Sequence, residues 1–222
     1  MKLKAINEKN NFYYLFFALV FMLCTSSIVA TISDDNHYYI FDLLTISMLL
    51  ISIKSLKNDK TLLWALGVLI IISSVIFVSN QFFTYNYTEF ITLFIWLVFF
   101  IGSFTTSVKG IISSKEIDQN MIVGSIVLYL LLGLIYTTIY LFILRIFSGA
   151  FHGLEYISLI DSFTAVSYYS FVTLTTLGYG DIYPQIPFAR FIVASEAVVG
   201  VFYLTIIVSS LVSARINTIS KK

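Results

Sequence analysis

Four stretches of this chain run for 17 to 26 residues without a single charge: Phe12 to Ser33, Leu62 to Val78, Phe90 to Val108 and Gln119 to Leu144. Two more carry one charge each, Tyr39 to Ile53 with Asp42 and Phe191 to Ala214 with Glu196. A helix needs about 20 apolar residues to cross the hydrocarbon of a bilayer. The runs therefore predict an all-α membrane protein with six transmembrane helices, the Leu62 run being the shortest of the charge-free ones. Composition agrees: 59% of the 222 residues are hydrophobic and 11% charged, against about a quarter charged in soluble domains. Lys2, Lys4 and Lys9 precede the first run in the manner of a signal peptide, but the run is too long for one.

The net charge of +1 gives no reason to expect a nucleic acid or an acidic partner. The single cysteine, Cys24, excludes an intrachain disulfide, and its place in an apolar run predicts a buried thiol. Basic residues set the orientation. With both termini cytoplasmic, 11 of the 13 lysines and arginines fall inside, all but Arg145 and Arg190. The outer segments hold Asp34, Asp35, Glu155, Asp161 and Asp181 instead. A multi-pass protein of the cell membrane is the expectation. The sequon Asn86-Tyr87-Thr88 abuts the fourth run and carries no weight.

The fifth and sixth runs are separated by a moderately apolar segment, Arg145 to Ala189. From Asp161 to Thr175 it has neither glycine nor proline, and Asp161 is a candidate N-cap. About fourteen helical residues span roughly 21 Å, too short to cross. Glycines at 178 and 180 follow, then Pro184 and Pro187. A half-length helix followed by glycine-bearing extended chain predicts a re-entrant loop. Such backbone survives at membrane depth only when protein buries it or when it lines a watery cavity. The loop predicts a pore.

Thr176-Leu177-Gly178-Tyr179-Gly180-Asp181 resembles the selectivity filter of tetrameric potassium channels, in which backbone carbonyls replace the hydration shell of the ion. Carbonyls of an ordinary strand point to alternate sides. Left-handed dihedrals at intervals turn them one way, and glycine adopts these without a Cβ clash. Gly178 and Gly180 are the residues that allow it. The resemblance implies potassium-binding carbonyls from Thr176, Leu177, Gly178 and Tyr179, with the Thr176 hydroxyl innermost. It places Leu177 and Tyr179 side chains away from the ion, wedged against the supporting helix. It also implies a homotetramer, because one chain offers one loop and four surround an ion. Potassium is then the permeant ligand, and no cofactor is expected.

The resemblance covers Met121 to Arg215. It implies filter support from Asp181 and the aromatic pair Tyr168 and Tyr169, an approach to the inner helix at Pro184 and Arg190, and a gating hinge at Gly200. Two departures stand out. Leu177 replaces the commoner valine or isoleucine, which spares the carbonyls. Val172 stands where some relatives carry an acid that pairs with the filter aspartate, so Asp181 needs another partner, for which the Tyr168 hydroxyl is the candidate. By the same resemblance residues 1–110 form a four-helix peripheral bundle in the position of a voltage sensor, 111–120 a cytoplasmic linker and 121–222 the pore domain. The fourth run has no lysine or arginine, so voltage gating is not expected.

Glu196 is a buried-acid candidate, since an ionisable group inside a span is costly. It either bonds to hydroxyls behind the pore helix or takes part directly in gating. Gly200 reads equally as small-residue helix packing. His37 and His152 are isolated outer-side residues, and nothing in the chain makes a zinc, nucleophile or phosphate-loop arrangement, so an enzyme is not expected. About seven residues follow the last run, so no cytoplasmic ligand-binding domain is expected. The competing function is a non-conducting regulatory or sensor subunit that keeps a pore-domain fold. A potassium transporter with four degenerate repeats fits less well than the single full motif.

Overall fold

In a computed structural model, residues 11–32, 38–55, 60–82, 88–113 and 119–219 are described. Helices follow the apolar runs: α1 is Asn11–Ile32, α2 Tyr38–Ser55, α3 Lys60–Phe82, α4 Thr88–Ser113 and α5 Gln119–Ile146. After α5 come a short strand β1, Phe151–His152, the helix α6, Leu159–Leu174, a second strand β2, Tyr183–Pro184, and the long helix α7, Pro187–Ile219. None of α1 to α6 contains a proline. Pro187 opens α7, where its missing N–H costs nothing and its fixed φ suits the first turn. Helix α4 continues through Ser113, and residues 114–118 of the expected linker lie outside the described residues.

Four segments are long and apolar enough to cross a membrane: Phe12–Thr31, Thr88–Ile112, Gln119–Ile146 and Pro187–Ile207. The other two expected crossings hold shorter apolar stretches, Asp42–Ile53 and Leu63–Ser79. Polar residues account for the shortening. Asp42 and Lys54 bracket the α2 stretch, and Ser79-Asn80-Gln81 end that of α3.

The first four helices pack in sequence, α1 on α2, α2 on α3 and α3 on α4, and the group leans on α5 through both α1 and α4. Close approach is built from glycine on the receiving side. A Cβ at Gly124 would meet the Phe12 ring at 2.9 Å, and one at Gly110 would meet it at 3.3 Å. The aromatic ring thus seats in a notch shared by α4 and α5. Trp96 is fully buried, its indole N–H donating to Thr45 Oγ1 at 3.1 Å. Its ring meets Phe163 of α6 edge to face at 5.2 Å, so the bundle touches the half-length helix directly. Cys24 corrects the sequence reading: its side chain is exposed. In a helix that is apolar all round, an apolar residue can face outward as readily as inward.

Where α4 begins and α5 ends, Glu89 and Arg145 pair at 3.3 Å. The Tyr156 hydroxyl donates to the same carboxylate oxygen at 2.7 Å, and the guanidinium lies over the Tyr156 and Phe90 rings at 4.9 and 5.5 Å. Each charge suits its position, an acid in a first turn and a base in a last turn. The cluster ties the bundle to the segment that leads into α6.

The start of α6 also corrects the sequence reading. Ser158, not Asp161, is the N-cap, with extended dihedrals and a hydroxyl that accepts from the Asp161 N–H. Asp161 sits three residues on, and its carboxylate accepts from the Ser158 hydroxyl at 2.5 Å. The pair is a capping arrangement of the serine-then-acid kind. It lengthens α6 to 16 residues, about 24 Å, still short of a crossing.

Strands β1 and β2 pair antiparallel, Phe151 opposite Pro184 and His152 opposite Tyr183. The His152 and Tyr183 rings stack at 4.7 Å, and Gln185 N–H donates to Ala150 O at 2.8 Å. Gly153, at φ +78°, is required here, because a Cβ would fall 2.5 Å from the Asp181 carbonyl oxygen. His37 and Asn86 lie outside the described residues.

Candidate functional site

The end of α6 dictates the path of the loop that follows. A helix leaves its last carbonyls without intrahelical partners. Here Thr176 N–H donates to Thr173 O at 2.9 Å and Leu177 N–H to Val172 O at 3.0 Å. That pair of bonds is a Schellman motif, with Thr176 in the left-handed position usually taken by glycine. Thr176 has φ +60° and is the one non-glycine residue with positive φ among those described. A β-branched residue pays roughly 1–3 kcal/mol to stay there. The sequence reading did not foresee it, because threonine carries no signal for this conformation. Gly178 N–H also reaches Val172 O, at 3.3 Å.

Left-handed dihedrals then recur at every second residue: Thr176 at +60°, Gly178 at +57° and Gly180 at +80°. Leu177 and Tyr179 between them have negative φ. From Thr175 through Asp181 every residue is exposed in the single chain. The α6 C-terminus lies immediately before, carrying a partial negative charge of about half an electron. The segment is an open run of alternating dihedrals behind a cation-favouring helix end.

Asp181 follows the run. Its Oδ2 accepts from the Tyr168 hydroxyl at 2.8 Å, and this bond holds the Tyr168 phenol above its ordinary pKa range. The Tyr168 and Tyr179 rings stack at 6.4 Å and 11°. Tyr179 therefore lies along α6, yet it stays 66% exposed and Leu177 55%. Val172 is buried and contributes its carbonyl rather than its side chain. Arg190 Nε donates to Pro184 O at 3.3 Å, fixing the turn into α7. His152 stands in the strand pair, exposed and stacked as described.

Behind the loop lies a polar junction among apolar walls. Glu196 is fully buried. Its Oε2 accepts from Tyr140 of α5 at 2.5 Å and its Oε1 from Ser170 of α6 at 2.6 Å. Ser170 Oγ also lies 2.8 Å from Gly133 O, while Tyr136 and Ser195 hydroxyls meet at 3.3 Å. Tyr169, the second of the aromatic pair, is buried and packs on Tyr140 and Phe151 at 5.5 and 5.6 Å. Gly133 receives the Phe171 ring, which a Cβ there would meet at 2.5 Å. Gly200 lies in unbroken helix against the last α6 residue; a Cβ would be 3.1 Å from the Leu174 carbonyl carbon and inside contact distance of its oxygen. Sequence reasoning singled out Glu196 and Gly200 but not Tyr140, Ser170 or Gly133. Nothing in their local pattern marks a serine or tyrosine as the partner of a distant acid.

No curated protein and no solved structure matches the chain. A family model does: residues 130–216, from the middle of α5 through α6 and the loop into α7, match the model described as Ion channel. The match lies over the polar junction and the exposed loop, and it supports an ion channel embedded in a membrane by its apolar helices.

Proposed function

We propose that four copies of this chain surround one axis and form a potassium-selective channel, with Thr176 to Gly180 of each copy as the filter. The observation that carries the reading is the alternation of handedness at Thr176, Gly178 and Gly180 in an open segment directly after a half-length helix. Four such rows would replace a potassium hydration shell layer by layer. Leu177 and Tyr179, exposed in one chain, would be covered by the neighbouring copy. In this reading α6 is the pore helix, α5 and α7 are the outer and inner helices, and all six long helices cross the cell membrane with both termini cytoplasmic. Permeation is passive, potassium is the only ligand required, and gating does not draw on voltage.

The test is reconstitution of the purified protein into liposomes with potassium and sodium flux measured in parallel, alongside subunit crosslinking. Potassium flux well above sodium flux from a tetramer is the expected result. Sodium passing as readily as potassium would refute the filter, and a tetramer without flux would favour a non-conducting subunit.

A further inference from the structure

We propose that Glu196 is a positioning residue for the filter: by bonding Ser170 it clamps the pore helix to the inner helix and so sets the filter's potassium-selective conformation. The inference rests on the potassium-channel reading. A carboxyl group buried at this depth is costly unless its oxygens are engaged, and both oxygens of Glu196 are, one by α5 and one by α6. The α6 bond is the one that bears on the filter. Ser170 precedes Phe171, Val172 and Thr173, whose carbonyls accept from the amides of Thr175, Thr176, Leu177 and Gly178. The clamp therefore sits one residue before the carbonyls that seat the loop.

A second contact lies one turn further along both helices. Gly200 is four residues after Glu196, and Leu174, which it meets, is four residues after Ser170. Two contacts spaced about 6 Å apart on each helix define a seam rather than a point. A rotation or shift of α7 must then carry the α6 terminus with it, or break the bond between Glu196 and Ser170. The Tyr140 bond holds the same carboxylate to α5 and leaves α6 untouched. The three partners thus make separable demands.

The potassium-to-sodium permeability ratio in reconstituted channels separates them. Glu196→Leu keeps similar bulk without the polar atoms and should lower the ratio at least about tenfold, the scale of a lost charge-assisted hydrogen bond. Glu196→Gln can still bond both hydroxyls and should stay within about threefold of the parent. Ser170→Ala, which removes the hydroxyl that joins α6 to Glu196 and also lies against Gly133 O, should shift the ratio as Glu196→Leu does, whereas Tyr140→Phe should leave it near the parent. A general loss of stability would not sort the variants in this way. Assembled, conducting Glu196→Leu or Ser170→Ala channels with the parental ratio would overturn the proposal. Should Glu196→Leu fail to assemble, Ser170→Ala decides alone. A parent that is itself unselective would overturn the channel reading and this proposal together, and would show before any variant is made.

Discussion

Replacing Gly200 with alanine sets two effects of opposite sign against each other. In a helix interior alanine is favoured over glycine by about 1 kcal/mol. The added Cβ, however, would enter the contact shell of the Leu174 carbonyl oxygen and lie 3.1 Å from its carbon. The obstructing group is backbone at the end of α6, so no side chain can rotate away. To restore carbon-to-oxygen contact α6 and α7 must part by on the order of 1 Å. Overpacking of this kind costs about 1–3 kcal/mol, and a rigid obstacle puts Gly200 in the upper part of that range. The net is a loss of about 1–2 kcal/mol per chain. At roughly 2–4 °C per kcal/mol for a chain of this size, Tm should fall by about 2–8 °C. Gly67 supplies the control, since it is also helical and a Cβ there meets nothing within 4 Å. Gly67→Ala should raise Tm by about 2–4 °C through propensity alone. Thermal unfolding in detergent followed by tryptophan fluorescence measures both. If the two variants shift Tm in the same direction, the α6–α7 contact at Gly200 is not as described.

Gly178→Ala tests strain without crowding, because nothing lies within 4 Å of the new Cβ while φ is +57°. The cost is about 1–2 kcal/mol per copy, and selective potassium flux should be lost from a protein that still crosslinks as the parent does; undiminished selective flux would refute the role given to its dihedral. Trp96→Ala removes a fully buried side chain and should cost about 3–5 kcal/mol, read as a drop in Tm, with a negligible drop contradicting the bundle packing. Voltage should act only weakly: each charge crossing 100 mV yields about 2.3 kcal/mol, and no lysine or arginine lies between Phe90 and Val108 of α4. Planar-bilayer recordings giving an activation curve as steep as several gating charges would contradict this.

The helices were legible because lipid demands long uncharged runs, and no turn chemistry was needed to find them. The loop was legible because glycines two apart, with a half-length helix before them, leave few other structures open. Partners were harder. Nearly every face of α1 to α5 is apolar, so no periodicity marks which side of α4 holds Trp96 or that its partner is Phe163. Cys24 was misjudged for the same reason. Asp161 was mistaken for the cap because Ser158 and Asp161 are both good caps three residues apart, and only the dihedrals of Ser158 decide between them. Thr176 followed from nothing local. Its handedness is imposed by the carbonyls of Val172 and Thr173, which need the next two amides.

Both ends of the loop are tethered, at one end by those carbonyls and at the other by the pairing of Tyr183 with His152. Between the tethered amide of Gly178 and the paired Tyr183 lie four residues, and Tyr168 holds one of them, Asp181, so the loop behaves as a short cable between fixed posts. A cable of that length cannot swing aside. It can rearrange only by crankshaft turns, in which one peptide plane rotates as the dihedrals on either side compensate and the ends stay put. Each such turn reverses one carbonyl and leaves the rest of the row in register. In the proposed filter such a turn would switch one oxygen layer at a time, on the scale of a single peptide plane rather than of a moving lid.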